Sequence, residues 1–211
     1  MKKPKVFYVY DALCGWCYGF GRVMKQFHAD YKDLFEFEVI SGGMITGDNV
    51  RPISGMAEYI RHAMPRLEHV SGVEVGEPYK TGILDKGTYI TNSLPPSVAL
   101  VILKEQAPAE QVPLARAIQH LHFVEGKDLN EVETYLPLAG EYGLAEADFT
   151  KKFTDEQYTA RAKEEFELVQ RWKITGFPAV VLQKGEQLYL VARGYLPYDQ
   201  LQETVNKVLE E

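Results

Sequence analysis

The apolar run KVFYVY (5–10) breaks off at Asp11, and three residues later the tetrapeptide CGWC (14–17) opens a helical pattern. From Cys17 onward Phe20, Val23, Met24, Phe27 and Tyr31 recur at the spacing of one helix face. FEFEVIS (35–41) then reads as a second strand, closed by Gly42 and Gly43. The result is a β-α-β unit with both of the chain's two cysteines at its strand-to-helix turn.

Between about 54 and 172 the pattern is almost wholly helical. Met56, Tyr59, Ile60 and Ala63 form one stripe, and Pro95-Pro96 open a helix through SVALVILKEQ. Leu114, Ala117, Ile118 and Leu121 mark a third helix, ending near Gly126. Val132, Tyr135, Leu136 and Ala139 mark a fourth, kinked at Pro137 and closed near Gly143. TDEQ (154–157) matches a capping box opening a long helix with Ala162, Phe166, Val169 and Trp172 inward. The turn-rich stretch 71–90 reads as a loop. After Trp172, PAVVLQ (178–183), the turn KGEQ and LYLVARG (188–194) form a hairpin, and a last helix carries Tyr198, Leu201, Val205 and Val208. The predicted order is β-α-β, a large all-helical insertion, then β-β-α. Residues 1–50 and 173–211 are expected to make one domain, and 51–172 an insertion sub-domain.

Composition narrows the partners. The 211 residues, 45% of them hydrophobic, suffice for one sizeable core. A net charge of −7 with scattered Lys and Arg makes nucleic acid and anionic membrane poor partners. No stretch approaches the roughly 20 apolar residues of a membrane helix. The apolar run behind Lys2, Lys3 and Lys5 is too short for a secretory signal, so a cytoplasmic protein is expected. Thiols are kept reduced there, and a close cysteine pair is more often reactive or metal-binding than structural.

Three roles compete for the pair. A disulfide staple closing so short a loop stabilises by roughly 2 kcal/mol, against about 3 for a 15-residue loop, which is little beside a large core. A structural zinc site needs two more ligands. His120 and His122 lie on opposite sides of one predicted helix, and His28, His62 and His69 lack suitable partners. All five histidines read as surface or half-buried side chains, and no metal is expected. A reactive pair fits the position best. Cys14, at the first turn of a helix, faces unpaired N–H groups and the positive end of the helix dipole, which favour a thiolate. No capping side chain immediately precedes it, so the sulfur itself is expected to cap. Cys17, one turn further in, is the shielded resolving thiol.

CGWC between strand and helix, the helical insertion, TGFPAVV (175–181) and the terminal hairpin and helix together resemble the DsbA-like branch of the thioredoxin superfamily. Within it they are most similar to cytoplasmic proteins labelled predicted protein-disulfide isomerases and to FrnE-like proteins. The resemblance implies an α/β thioredoxin fold with a helical insertion, and a cis Pro178 beside the reactive Cys14. It also implies that the Phe177 backbone meets a bound thiol or peptide. Periplasmic oxidants of this branch carry His before the second cysteine, and thioredoxin carries Pro; Trp16 stands there instead, which implies a less oxidising pair. Trp16 is expected to be exposed beside Cys14 as an apolar platform for substrate. Asp11 and Gly15 count as supporting positions; Asp11 either orients a water or relays protons near Cys17, or simply ends the strand. Tyr10 and Tyr18 flank the pair and are expected to pack in the core. A close approach, expected from the Pro178 loop, accounts for Gly19 and Gly21, while SGGM (41–44) either lines the site or ends the strand.

The expected activity is thiol–disulfide exchange through a mixed disulfide, as oxidase, isomerase or reductase. Its substrates are protein or small-molecule thiols and disulfides. It needs no cofactor, and glutathione or a thioredoxin-like reductant resets the pair. Two alternatives stand beside it: a glutathione-dependent transferase or isomerase of kappa-class type, and a peptide-binding chaperone without turnover.

Overall fold

A computed structural model describes residues 3–210. In chain order the main elements are β1 (Lys5–Tyr10), α1 (Gly15–Tyr31), β2 (Glu36–Ser41), β3 (Arg51–Pro52), α2 (Ala57–Ser71), a π-helix (Pro78–Asp85), β4 (Ile90–Thr91), α3 (Leu94–Gln106), α4 (Gln111–Phe123), α5 (Leu136–Glu141), α6 (Glu146–Phe153), α7 (Glu156–Arg171), β5 (Ala179–Lys184), β6 (Gln187–Arg193) and α8 (Tyr198–Glu210). Four strands form one mixed sheet in the order β2-β1-β5-β6. β1 runs parallel to β2 and antiparallel to β5, which turns back into β6.

After Lys5, β1 carries only apolar and aromatic side chains because both of its faces are covered. Val6, Tyr8 and Tyr10 enter the large core shared with Phe20, Met24 and Phe27 of α1 and with α3. Phe7 and Val9 alternate to the other face, where Phe7 meets Trp172 edge-on at 5.0 Å between ring centres.

Strand register assembles the site. Val9 pairs with Ala179, so Phe177 and Pro178 fall just beyond the C-terminal end of β1. Tyr10 pairs with Ser41, which brings Gly42, Gly43 and Met44 to the same edge. The turn carrying Cys14 leaves β1 at that point.

Elsewhere several expectations are corrected. Residues 71–90 are not a plain loop: Pro78–Asp85 form a π-helix that buries Tyr79, Ile83 and Leu84. Besides its helices, the middle segment holds a two-residue antiparallel ladder, Arg51–Pro52 with Ile90–Thr91. Pro137 does not kink a helix; it sits in the first turn of α5, where its missing N–H is no loss. α6 emerges between Gly143 and Thr154, and Asp155 rather than Thr154 caps α7, accepting the Gln157 N–H at 2.8 Å. The buried face of α4 carries Val112, Leu114, Ala115, Ile118, Gln119, His122 and Phe123, so Ala117 and Leu121 are only half-buried. His122 is fully buried and not a surface histidine.

Candidate active site

Cys14 closes the turn after β1 and caps α1. Its N–H donates to the Asp11 carbonyl at 3.1 Å, and its Sγ accepts the Cys17 N–H at 3.3 Å. The sulfur thus takes the place of the usual Ser or Asp side chain. The Cys14 thiol also donates to the Phe177 carbonyl oxygen, 3.7 Å away, and the Phe177–Pro178 peptide bond is cis. Pro178 in turn is tied to the hairpin: its carbonyl accepts the Gly194 N–H at 2.7 Å.

The two sulfurs occupy different environments. Cys14 is 6% exposed and Cys17 is 0% exposed, beneath it. Burial pushes the Cys17 thiol well above its ordinary range; the adjacent Cys14 sulfur adds to the rise, and a backbone bond from Asp11 opposes it. Cys17 therefore holds its proton while Cys14 lies at the mouth.

Asp11 is a buried anchor point. Its Oδ1 accepts the Leu13 N–H at 3.0 Å and its Oδ2 the Met44 N–H at 2.8 Å. Burial raises its pKa, and bonds from Met44, Leu13 and the Ser93 hydroxyl restrain the rise. The SGGM segment thus lines the site and does more than end β2. Gly42 is required there, since a Cβ at that position would lie 2.2 Å from the Phe177 ring.

Trp16 is half-buried and not fully exposed, packed toward Tyr195 with 6.2 Å between ring centres. With Leu13 and Gly15 it walls one side of an apolar cavity of about 110 Å³, whose other side is α2 with Tyr59, Ile60 and Met64. Tyr59, Ile60 and Ala63 of the stripe read from the sequence line this cavity, and Tyr59 is 70% exposed. Gly19 is explained by α2, not by the Pro178 loop: its Cβ would come within 2.8 Å of Ser71 Cβ. A Cβ on Gly15 would meet Leu67 Cδ2 at 3.3 Å, and one on Gly21 would make only ordinary contacts. Tyr10 is buried, while Tyr18 stacks on Phe123 and donates to the Glu74 carbonyl at 2.7 Å.

Ser93 and Gln119 are absent from the sequence-derived site. Gln119 gives one signal in retrospect, as an amide on the 112/115/119/122 stripe among buried apolar neighbours. Ser93 gives none, because its role depends on where β4 ends. Among the described residues, no three His, Cys, Asp or Glu side chains gather to hold a metal ion.

The family model of the DSBA-like thioredoxin domain matches residues 5–206. Among solved structures, a candidate protein disulfide isomerase from Nitrosomonas europaea is 26% identical with a TM-score of 0.88, covering 99% of this chain and 98% of that one. The cytosolic disulfide reductase DsbM from Pseudomonas aeruginosa is 25% identical with a TM-score of 0.80, covering 98% of both chains. The same reductase with GSH is 25% identical with a TM-score of 0.77, covering 98% of this chain and 100% of that one. No curated protein sequence matches.

Proposed function

We propose, from the premise that this chain belongs to the DSBA-like thioredoxin domain family and is a thiol–disulfide oxidoreductase, that Cys14 and Cys17 are its reacting pair and that it works as a disulfide reductase. The observation that carries this reading is the asymmetry of the pair. Cys14 caps a helix beside the Phe177 carbonyl at the mouth, and Cys17 is sealed beneath it with its thiol pushed up.

The Cys14 thiolate attacks one sulfur of a substrate disulfide. That S–S bond breaks, the leaving sulfur departs as a thiolate and takes up a proton, and Cys14 is left in a mixed disulfide. Cys17 then loses its proton to the solvent reaching the opened site and attacks the Cys14 sulfur. The second substrate thiol leaves, and a Cys14–Cys17 disulfide remains. Two electrons have passed to the substrate. Two glutathione thiols, or the dithiol of a thioredoxin-like partner, return them.

Each neighbouring residue has a part in this cycle. The Phe177 backbone and cis Pro178 receive the substrate chain beside its sulfur. Trp16 and the α2 cavity accept an apolar group of a protein or small-molecule disulfide. Asp11 holds the turn, and Gly15 leaves room for α2. In this reading residues 1–50 and 173–211 form the redox domain, and 51–172 form an insertion that shapes its mouth. Likeness to a cytosolic reductase supports the reducing direction, a glutathione partner and a cytoplasmic location. No helix among the described residues is long and apolar enough to cross a membrane.

The test uses oxidised glutathione and an oxidised peptide as substrates, with mass readout. Cys17→Ser is expected to accumulate a mixed disulfide at Cys14, Cys14→Ser to form none, and both to lose turnover. Glutathione transfer or isomerisation that survives Cys17→Ser would overturn the reading in favour of a transferase. Unchanged peptide binding by both variants, with no turnover in the wild type, would overturn it in favour of a chaperone.

A further inference from the structure

The insertion supplies one polar side chain to the turn that carries Cys14. Gln119 projects from α4 and is 1% exposed among Leu114, Ala115 and Ile118. Burying a primary amide is costly unless its hydrogen bonds are met. The Gln119 Nε2 donates at 3.2 Å to the Asp11 carbonyl oxygen, the same oxygen that receives the Cys14 N–H at 3.1 Å. One carbonyl thus joins the nucleophile's backbone to a helix more than a hundred residues away.

We propose that Gln119 is a positioning residue for the Cys14 sulfur, acting through the Asp11 carbonyl. The inference rests on the exchange reading given above and deepens it. Two effects carry it. The Asp11–Cys14 bond sets the turn in which Cys14 Sγ meets the Cys17 N–H at 3.3 Å. A second donor on the Asp11 oxygen fixes the peptide plane from which the turn departs. The amide also presents its positive end to a carbonyl in a dry interior, where it offsets negative potential near the sulfur more strongly than it would in water. The Asp11 carboxylate belongs to the same anchor, since it holds Leu13 and Met44, but Gln119 is the contribution of α4.

The experiment follows alkylation of Cys14 by iodoacetamide across the pH range in the full-length reduced protein, comparing wild type, Gln119→Leu and Gln119→Met, with thermal unfolding recorded for each. In the folded variants the rate at neutral pH is expected to fall about fivefold, the worth of one ordinary hydrogen bond. The midpoint of the pH–rate profile is expected to move upward. A profile that superimposes on that of the wild type would overturn the proposal, whatever the change in melting temperature, because a residue that only supports the core alters stability and leaves the profile in place. Should neither variant fold, the wild-type protein decides: the Gln119 side-chain amide resonance is expected to shift when Cys14 is alkylated, and no shift overturns the proposal. Alkylation needs no disulfide turnover. A wild type inactive towards disulfides would therefore sink the exchange reading, whereas a superimposed alkylation profile would sink the role of Gln119 alone.

Discussion

The Cys14 thiol points at the carbonyl oxygen of Phe177, 3.7 Å away, although 163 residues separate the two in the chain. The same sulfur accepts the Cys17 N–H at 3.3 Å. The two contacts serve different forms of the group: the thiol donates to Phe177, and a thiolate keeps only the bond from Cys17. Loss of the proton therefore frees the Phe177 carbonyl; under the proposed function, this would couple activation of Cys14 to the opening of the position that receives a substrate backbone.

The difference in burial between the two sulfurs predicts selective labelling. Iodoacetamide added to the reduced native protein is expected to modify Cys14 alone, because Cys17 is sealed and its thiol is held protonated. Mass mapping after proteolysis reads this directly, with Cys17 labelled only once denaturant is added. Equal labelling of both under native conditions would contradict the assignment of roles.

Gly42→Ala tests the seat of Phe177. The added methyl would lie 2.2 Å from the Phe177 ring, so the ring and its carbonyl must move. Overpacking of this kind costs about 1–3 kcal/mol. The expected result is a lower urea midpoint together with slower reaction of Cys14 with a disulfide probe. Loss of stability with no change in that rate would show that Phe177 does not set the position of the sulfur.

A third prediction concerns the end of β2. Lys104 and Glu165 form a largely buried ion pair; Glu165 Oε2 accepts the Ser41 N–H at 2.7 Å, and Lys104 donates to the Val39 carbonyl at 2.7 Å. Removing one partner leaves the other charge poorly solvated. Glu165→Ala is expected to lower the unfolding free energy by roughly 3 kcal/mol, and the double variant Lys104→Met with Glu165→Leu to recover most of that loss. Urea titrations of the three proteins decide it.

His122 makes stability fall in mild acid. It is fully buried against Tyr79, Tyr89 and Phe123, and burial lowers its pKa from the ordinary histidine range to about 4. The unfolded chain takes up a proton as the pH drops through the ordinary histidine range, and the folded chain does so only near 4. The contribution is thus intact above the unfolded value and is lost progressively as the pH falls toward the folded one. By pH 4.5 the loss is roughly 2–3 kcal/mol. Comparing urea unfolding at neutral pH and at the acid end, His122→Phe should show a much flatter dependence than wild type. Glu105, held at about 2 by Lys152 and Arg161, also loses its contribution as the pH falls below the ordinary carboxylate range, but it does so in both proteins and cancels in the comparison. Parallel pH dependences in the two proteins would refute the assignment to His122.

What was legible in the sequence lies along short stretches of chain. KVFYVY reads as a buried strand because nearly every side chain in it is apolar, and the helix after Cys17 reads from its spacing. Cys14 as its own cap follows from the missing Ser or Asp immediately before it. Boundaries set by competing caps were less legible. Thr154 and Asp155 both suit a helix start, and the choice fell to Asp155 because Thr154 closes α6, with its hydroxyl bonded to the Thr150 carbonyl. The π-helix escaped detection because its burial pattern does not follow the 3.6-residue period.

By itself, then, the sequence determined the β-α-β unit, the placement of CGWC on its turn and the hairpin that follows Phe177, since each is written in the periodicity of neighbouring residues. Only the tertiary structure decided what surrounds the sulfur. Pairing of Val9 with Ala179 and of Tyr10 with Ser41 brought Phe177 and Met44 to Cys14. The rotation of α4 turned Gln119 inward to Asp11, and the packing of α2 left Tyr59 exposed beside the cavity that Trp16 walls. Register and helix rotation are settled by how distant surfaces fit together, and local periodicity does not encode that fit.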